Sequence, residues 1–567
     1  MMQLNIPRII LFPILLLLGT ALNTFAVHIT VRDFNAVPGD GIDDTAAIHS
    51  AIAACQSGDR LIFEKGTYDL WNTIVIDNKT NIDVDGSGAI LMLRGFNRSN
   101  GGPTFSAIHL LNSHKVTIHN FTVDMDVSPN SAGEIINVGS DFLDVQLFDE
   151  FPVTGDEFID HIMTFHRDYR PNGRNLDSYM KFEVAKIAER VLRITVPNLR
   201  NVSPGEYLCM YHKVYGGNAI RYVNTNSCTL RDVTILSFAG MGFYATNRTT
   251  NLTVERYFVQ RPEDTQRLTS TNADGSKFVL TGGILTIKDC YYEGMGDDAI
   301  NIHSSYAKVT KIDINSAIIE IIGLRGRTGS PVPVKDHYVL AGDKIEFYDQ
   351  TTMLPKGTAY VVKRDNHVLK LDALPQDVKK GDLFNNLSMC PVVRISNVTV
   401  NRNRARGFLL QSQDVIVEDC TITNPTGVGI FVTTDVAFWY ESGPGNNVII
   451  RNNTIDNANN HLIMEGAINV KCGHDKGGTD YPAGVHRNIL IEGNTIRNTS
   501  QSAIYACSSD DIRITGNKID QCSQEPVLPN GKHAIFIKNS SKVYVHDNDI
   551  QHAELDIGHE NCMFADE

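Results

Sequence analysis

Asn488-Ile-Leu-Ile-Glu492, followed by the turn Gly493-Asn-Thr-Ile496, returns one period later as Asp511-Ile-Arg-Ile-Thr515 followed by Gly516-Asn-Lys-Ile519. Alternating polarity with isoleucine and valine enrichment favours strands over helices. Asparagine and glycine suit the corners because they tolerate left-handed backbone angles. Working outward, the same unit recurs as Lys115-Val-Thr-Ile-His119, Asn251-Leu-Thr-Val-Glu255, Asn397-Val-Thr-Val-Asn401, Asp414-Val-Ile-Val-Glu418, Asn447-Val-Ile-Ile-Arg451 and Lys542-Val-Tyr-Val-His546. A second column reads Ala299-Ile-Asn-Ile302, Gly407-Phe-Leu-Leu410, Gly429-Ile-Phe-Val432, Ala467-Ile-Asn-Val470, Ala503-Ile-Tyr-Ala506 and Ala534-Ile-Phe-Ile537. One turn of a parallel β-helix takes roughly 20–30 residues, and self-similarity on that scale marks a solenoid. The expected fold is all-β: a right-handed parallel β-helix.

The chain has 567 residues, 42% of them hydrophobic and 20% charged, enough for a large core. A net charge of −14 argues against a polyanion-binding groove and a nucleic-acid partner. Residues 1–26 read as a secretory signal peptide: Arg8, an apolar run through Leu18, then Thr24-Phe-Ala26 as a small-residue cleavage site. Secretion or a periplasmic location is expected, and no later stretch approaches membrane-spanning length. The ten cysteines show neither a disulfide framework nor metal-site spacing. Cys290 and Cys420 share a repeat position, so stacked buried thiols are expected.

Two segments break the coil pattern and resemble each other. Lys186-Ile-Ala-Glu-Arg-Val-Leu-Arg-Ile-Thr195 echoes Lys363-Arg-Asp-Asn-His-Val-Leu-Lys-Leu-Asp372, and Pro204-Gly-Glu-Tyr-Leu208 echoes Lys380-Gly-Asp-Leu-Phe384. Both read as small β-barrels looping out of the solenoid. The expected order is a cap with the first coils over 27–132, an inserted barrel over 133–215, and central coils over 216–305. A second barrel over 306–392 and C-terminal coils over 393–567 follow. In the cap, Asp43-Asp44-Thr45 reads as the start of a helix from Thr45 to Ala54, with acids favoured at its N-terminus.

The stretch Glu293-Gly-Met-Gly-Asp-Asp-Ala-Ile-Asn-Ile-His303 places Asp297 and Asp298 directly before a strand of the second column. Asp274, in Ala273-Asp-Gly-Ser-Lys-Phe278, lies 24 residues earlier, one rung or about 4.8 Å away along the stack. Three stacked carboxylates on an open face suit glycosidic-bond chemistry, which needs one acid and one base. Neighbouring carboxylates raise one another's pKa, which keeps a proton in the group near neutrality. That route needs no cofactor, and no metal cluster stands out.

Gly-Asp-Asp one coil after a lone aspartate is similar to the polygalacturonases, inverting hydrolases on a pectin-lyase-like solenoid. The whole mature chain resembles more closely their relatives, the α-1,3-galactosidases of glycoside hydrolase family 110. The match is carried by the two aspartate motifs, by two insertions in a β-helix, and by Arg404-Ala-Arg-Gly-Phe-Leu-Leu-Gln411. The resemblance implies removal of terminal α-1,3-linked galactose from blood-group-B-type and related glycans, by inversion. It implies Asp297 as the acid, with Asp274 and Asp298 holding the water as base. A true polygalacturonase pattern expects Gly-His-Gly and Arg-x-Lys on the following rungs. Here those positions read Gly427-Val-Gly429 and Arg404-Ala-Arg406.

Arg404 and Arg406 are candidates for binding sugar hydroxyls or orienting a carboxylate. Trp439, in Trp439-Tyr440-Glu441, either stacks on a galactose face or packs its own loop, and Glu441 beside it is a further binding candidate. Glu465 aligns with Asp297 about three rungs on, roughly 14 Å away, as a hydroxyl ligand or a solvated turn residue. His303 either faces the cleft or belongs to the core. The alternatives to a galactosidase are a polygalacturonase-like pectin hydrolase and a non-catalytic glycan-binding β-helix. The expected partner is an oligosaccharide or glycoconjugate, and a homodimer is compatible with the sequence.

Overall fold

The computed structural model describes residues 27–172, 174, 176–326, 329–460, 464–473, 481–528 and 530–565. The expected signal peptide, residues 1–26, lies outside them. Among the described residues no helix is long and apolar enough to cross a membrane.

The repeat unit winds into a right-handed parallel β-helix because alternate side chains find the same interior. Val448, Ile489, Ile512 and Val543 stack in register, as do Ile450, Ile491, Ile514 and Val545. Apart from Val545, which is only partly buried, these residues are at most 1% exposed. One continuous core runs from Val31 to Val543. Corner residues take the left-handed backbone expected of them, with φ of 56° at Asn452, 63° at Gly493 and 64° at Gly516. Beside those corners the side chains of Asn453, Asn494, Asn517 and Asn548 donate one to the next at 2.9–3.0 Å. Each Oδ1 of Asn494, Asn517 and Asn548 also accepts the backbone N–H of the asparagine one rung before it at 3.0 Å. This internal ladder satisfies groups that would otherwise be buried and unpaired.

The second column pairs in the expected order, Ile300 with Phe408, then Ile430, Ile468, Ile504 and Ile535. One member of the first column is displaced. Thr399–Asn401 pairs with Tyr291–Glu293 and Thr421–Thr423, whereas Val392–Ser396 fills the position assigned to Asn397-Val-Thr-Val-Asn401. Both stretches alternate in the same way and follow one another closely, so polarity alone does not separate them.

At the N-terminus the helix Thr45–Ala54 covers the first coil. Asp43 rather than Asp44 bonds its first turn, accepting the Thr45 N–H at 3.0 Å. Asp44 is buried and accepts the N–H groups of Val37 and Asp69. The ten cysteines are free thiols, with Cys290 and Cys420 both buried.

The two interruptions differ. In the second, Ile300–Asp313, Ile318–Arg325, Val368–Leu371, Pro355–Asp365, Lys344–Tyr348 and Leu383–Asn386 pair in a ring that returns to Ile300–Asp313. Val309, Ile319, Ile345, Phe347, Leu369 and Phe384 fill that ring. Its first strand is a direct continuation of the coil strand, which carries Ile300 to His303 inside the solenoid. In the first, seven antiparallel strands between Asn130 and Tyr211 form a row, with Asp177–Tyr179 at one end and Glu183–Ala188 at the other. Among the described residues these two end strands do not pair, so the expected barrel is an open sheet. Glu183–Ala188 is almost wholly exposed, and the sheet's core reaches Leu268 and Ala273 of the solenoid. The coil surface thus covers what barrel closure would have covered.

Candidate active site

Asp274 and the Asp297–Asp298 pair come together because Ser276 pairs with Ile300 and Phe278 with Ile302, one rung apart. Gly296 permits the approach: a Cβ there would stand 2.5 Å from the Asn272 carbonyl oxygen. The Asp298 N–H points at Asp274 Oδ1 at 3.3 Å, and the Gly275 N–H donates to the Asp298 carbonyl at 2.8 Å. Asp274, Asp297 and Asp298 each place one carboxylate oxygen within 4.8 Å of the others. Buried Asn272 ties both roots of the first insertion to this rung, donating to the Pro129 and Lys213 carbonyls.

Each carboxylate has its own cation. Arg404 Nη1 is 3.2 Å from Asp297 Oδ1, Arg406 Nε 3.1 Å from Asp298 Oδ1, and Lys277 Nζ 3.7 Å from Asp274 Oδ2. The Arg406 backbone N–H also donates to Asp298 at 2.9 Å, and the Tyr215 hydroxyl donates to Asp297 Oδ2 at 2.9 Å. Three carboxylate oxygens this close form a donor set a hard divalent cation accepts, but three protein cations already offset that charge.

Burial decides the protonation of the two inner carboxylates. Asp274 is pushed up to about 7 by burial, with Asp297 and Glu441 adding and Lys277 and Arg406 opposing. Burial also raises Asp298 well above the usual carboxylate range, Arg406 opposing and Asp297 and Asp274 adding. Asp297 is the most accessible of the three, its side chain 16% exposed against 4% for Asp274 and 2% for Asp298.

These groups line a cavity of about 570 Å³ with Tyr179, Tyr215, Asn301, Phe438, Trp439 and Glu441. Tyr179 comes from the first insertion, and Phe438, Trp439 and Glu441 from a loop between coils. Asp435 shapes that loop by accepting the N–H groups of Ala437, Phe438 and Trp439. Trp439 stays half-exposed, edge-on to Phe438 at 4.4 Å between ring centroids. The Asn301 Oδ1 is buried at the cavity with no hydrogen-bond donor among the described residues.

Of the residues expected from sequence, the cavity gathers Asp274, Asp297, Asp298, Arg404, Arg406, Trp439 and Glu441. His303 and Glu465 are not in its lining. His303 sits behind Glu441, its Nε2 3.2 Å from the carboxylate, and burial lowers its pKa. Glu465 stands three rungs on and is held by Lys471 and Asn469. Sequence reasoning missed Lys277, Asn301, Tyr179, Tyr215 and Phe438. The first two carried a signal: Lys277 and Asn301 are register partners that alternate with inward Ser276, Phe278, Ile300 and Ile302. Parity alone turns them toward the face that holds the aspartates.

Residues 385–561 match the family described as a right-handed beta helix region. A protein named alpha-1,3-galactosidase A from Shewanella woodyi is 25% identical across 97% of this chain and 95% of its own. A protein named alpha-1,3-galactosidase B from Bacteroides thetaiotaomicron is 23% identical across 92% of this chain and 91% of its own. Among solved structures, the catalytic domain of Agl-KA is similar at a TM-score of 0.49 and 13% identity, covering 99% of this chain and 70% of that one. The chain is a β-helix relative, over nearly its whole length, of proteins named alpha-1,3-galactosidase.

Proposed function

We propose that this protein is a glycoside hydrolase that removes terminal α-1,3-linked galactose from blood-group-B-type and related glycans with inversion. The observation that carries the reading is the triad of aspartates on adjacent rungs, each backed by a cation, inside a walled cavity. The names of its relatives supply the substrate class. The cavity volume of about 570 Å³ falls in the range of small-ligand sites, which suits a chain-end sugar.

Asp297, the most accessible carboxyl, gives its proton to the leaving glycosidic oxygen. Asp274 and Asp298 take a proton from the attacking water. Turnover uses the state with the proton on Asp297 and the inner pair ionised; burial opposes that ionisation, and Lys277 and Arg406 beside the two carboxylates favour it. A single water bridging two carboxylates through hydrogen bonds of about 2.8 Å needs oxygens about 4.5 Å apart, which suits the spacing within 4.8 Å. That nearest-oxygen spacing is shorter than the roughly 6.5–9.5 Å between carboxyl groups of inverting pairs. Inversion therefore rests on the resemblance.

A neutral sugar is favoured over galacturonan, whose every residue carries a carboxylate. Arg404, Arg406 and Lys277 are each engaged by an aspartate of the site. The test is proton NMR of galactosyl-α-1,3-galactose during hydrolysis. β-Galactose formed first supports the whole reading. α-Galactose formed first replaces inversion by retention and makes one aspartate a nucleophile. No cleavage by the folded protein refutes this disaccharide as substrate and turns the test to polygalacturonate, then to glycan binding without chemistry.

A further inference from the structure

We propose that Asp177, on the end strand of the first insertion, is a positioning residue that sets Asp297 through Arg404. The inference rests on the hydrolase reading, in which Asp297 is the acid. Four side chains from three separated parts of the chain lie in line. His161 Nε2 is 2.7 Å from Asp177 Oδ1, Asp177 Oδ2 is 3.0 Å from Arg404 Nε, and Arg404 Nη1 is 3.2 Å from Asp297 Oδ1. Asp177 therefore uses one oxygen for each neighbour, and Arg404 one nitrogen for each carboxylate.

The far end of the line is fixed. His161 is fully buried, stacked between Tyr179 at 3.9 Å and Tyr211 at 4.5 Å. Its strand, His161–Phe165, pairs directly with Asp177–Tyr179, which aims the aspartate inward. Arg404 lies over the Tyr179 ring at 5.1 Å, so the same short strand holds the guanidinium by face and by charge. An ion pair serving the insertion alone would not include a residue of the aspartate rung. This one couples the wall of the cavity to the group that must meet the glycosidic oxygen.

Removing the Asp177 charge frees one side of a planar fork whose direction is set by both partners. A misplacement of about 1 Å at a reacting group costs about 10²-fold in rate. The test is Asp177→Asn in the full chain, with kcat measured on galactosyl-α-1,3-galactose and on nitrophenyl α-galactoside, whose leaving group needs little protonation. The expected result is a loss of about 10²-fold on the disaccharide, only a severalfold loss on the nitrophenyl substrate, and little change in KM. In an Asp297→Asn background the nitrophenyl rate should show no further loss, since the two act as one unit. Asp177→Glu keeps the buried charge paired and protects against misfolding; it should show the same leaving-group bias in smaller degree. Equal losses on both substrates, or multiplicative losses in the double variant, overturn the proposal. An Asp297→Asn enzyme that still cleaves the disaccharide overturns the reading of Asp297 as the acid instead.

Discussion

Replacing Lys277 by methionine removes one charge and keeps the stem, so it isolates the field acting on Asp274. The ammonium stands 3.7 Å from Asp274 Oδ2. Two unit charges at that distance attract by about 4.5 kcal/mol at an effective dielectric of about 20, and by about 1.1 kcal/mol in bulk water. Those limits correspond to an upward displacement of about 0.8 to 3.3 pH units. Lys277 also faces Glu441 at 3.9 Å, which takes part of its field and places the expectation nearer the lower limit. The sign follows from the role. Asp274 is pushed up to about 7, Asp298 is raised as well, and both must be ionised to receive a proton, so activity rises with pH at and above that value. Losing the lysine disfavours the carboxylate and moves this acidic limb to higher pH. The assay is kcat/KM against pH on galactosyl-α-1,3-galactose, wild type beside Lys277→Met, with melting temperatures as a control. A limb that stays within about 0.3 pH units of wild type, in a folded and active variant, would refute Asp274 as the ionising base.

Asp297→Asn removes only the protonatable group and should lower kcat on the disaccharide by about 10²–10⁴-fold with the melting temperature unchanged; near-normal turnover would end the acid assignment. Trp439→Ala should raise KM about 2- to 10-fold with kcat preserved, the size of one aromatic face; an unchanged KM would assign the indole to its own loop. Asn494 is fully buried and accepts the Asn453 N–H, so Asn494→Ala leaves a buried donor unpaired and should cost about 1–3 kcal/mol in denaturant unfolding, with activity unaffected. A stability equal to wild type would show that the asparagine ladder is not a structural spine.

Periodicity made the solenoid legible because it is a local property. Ala or Gly followed by apolar-x-apolar marks the second column on the rungs from Ala299 to Ala534, and the aspartates inherit their position from it. Asn397-Val-Thr-Val-Asn401 shows the limit, since two neighbouring columns share one alternation and only the register distinguishes them. Closure of the insertions was out of reach for a different reason. Whether a row of strands meets itself depends on pairings far apart in sequence, and in the first insertion on how much apolar surface the coil supplies. Asp177 and Tyr179 sit on a three-residue strand too short to carry a pattern. Their part in the cavity comes entirely from where the insertion folds back. Lys277 and Asn301, in contrast, were readable by parity in motifs already singled out for their aspartates.

The strand Ile300–Asp313, which leaves the solenoid to begin the second insertion, has a consequence for how the molecule assembles. Asp298 and Arg406, on touching rungs, are 108 residues apart, whereas Asn401 and Thr423, also on touching rungs, are 22 apart. The longer closure costs about 1.4 kcal/mol more chain entropy, and it follows the ordering of the barrel between them. The C-terminal coils close through short loops and can nucleate by themselves, as solenoid repeats do. The step from Asp298 to Arg406 carries the larger closure cost, so the aspartate rungs are expected to join after these coils and to part from them when the barrel opens.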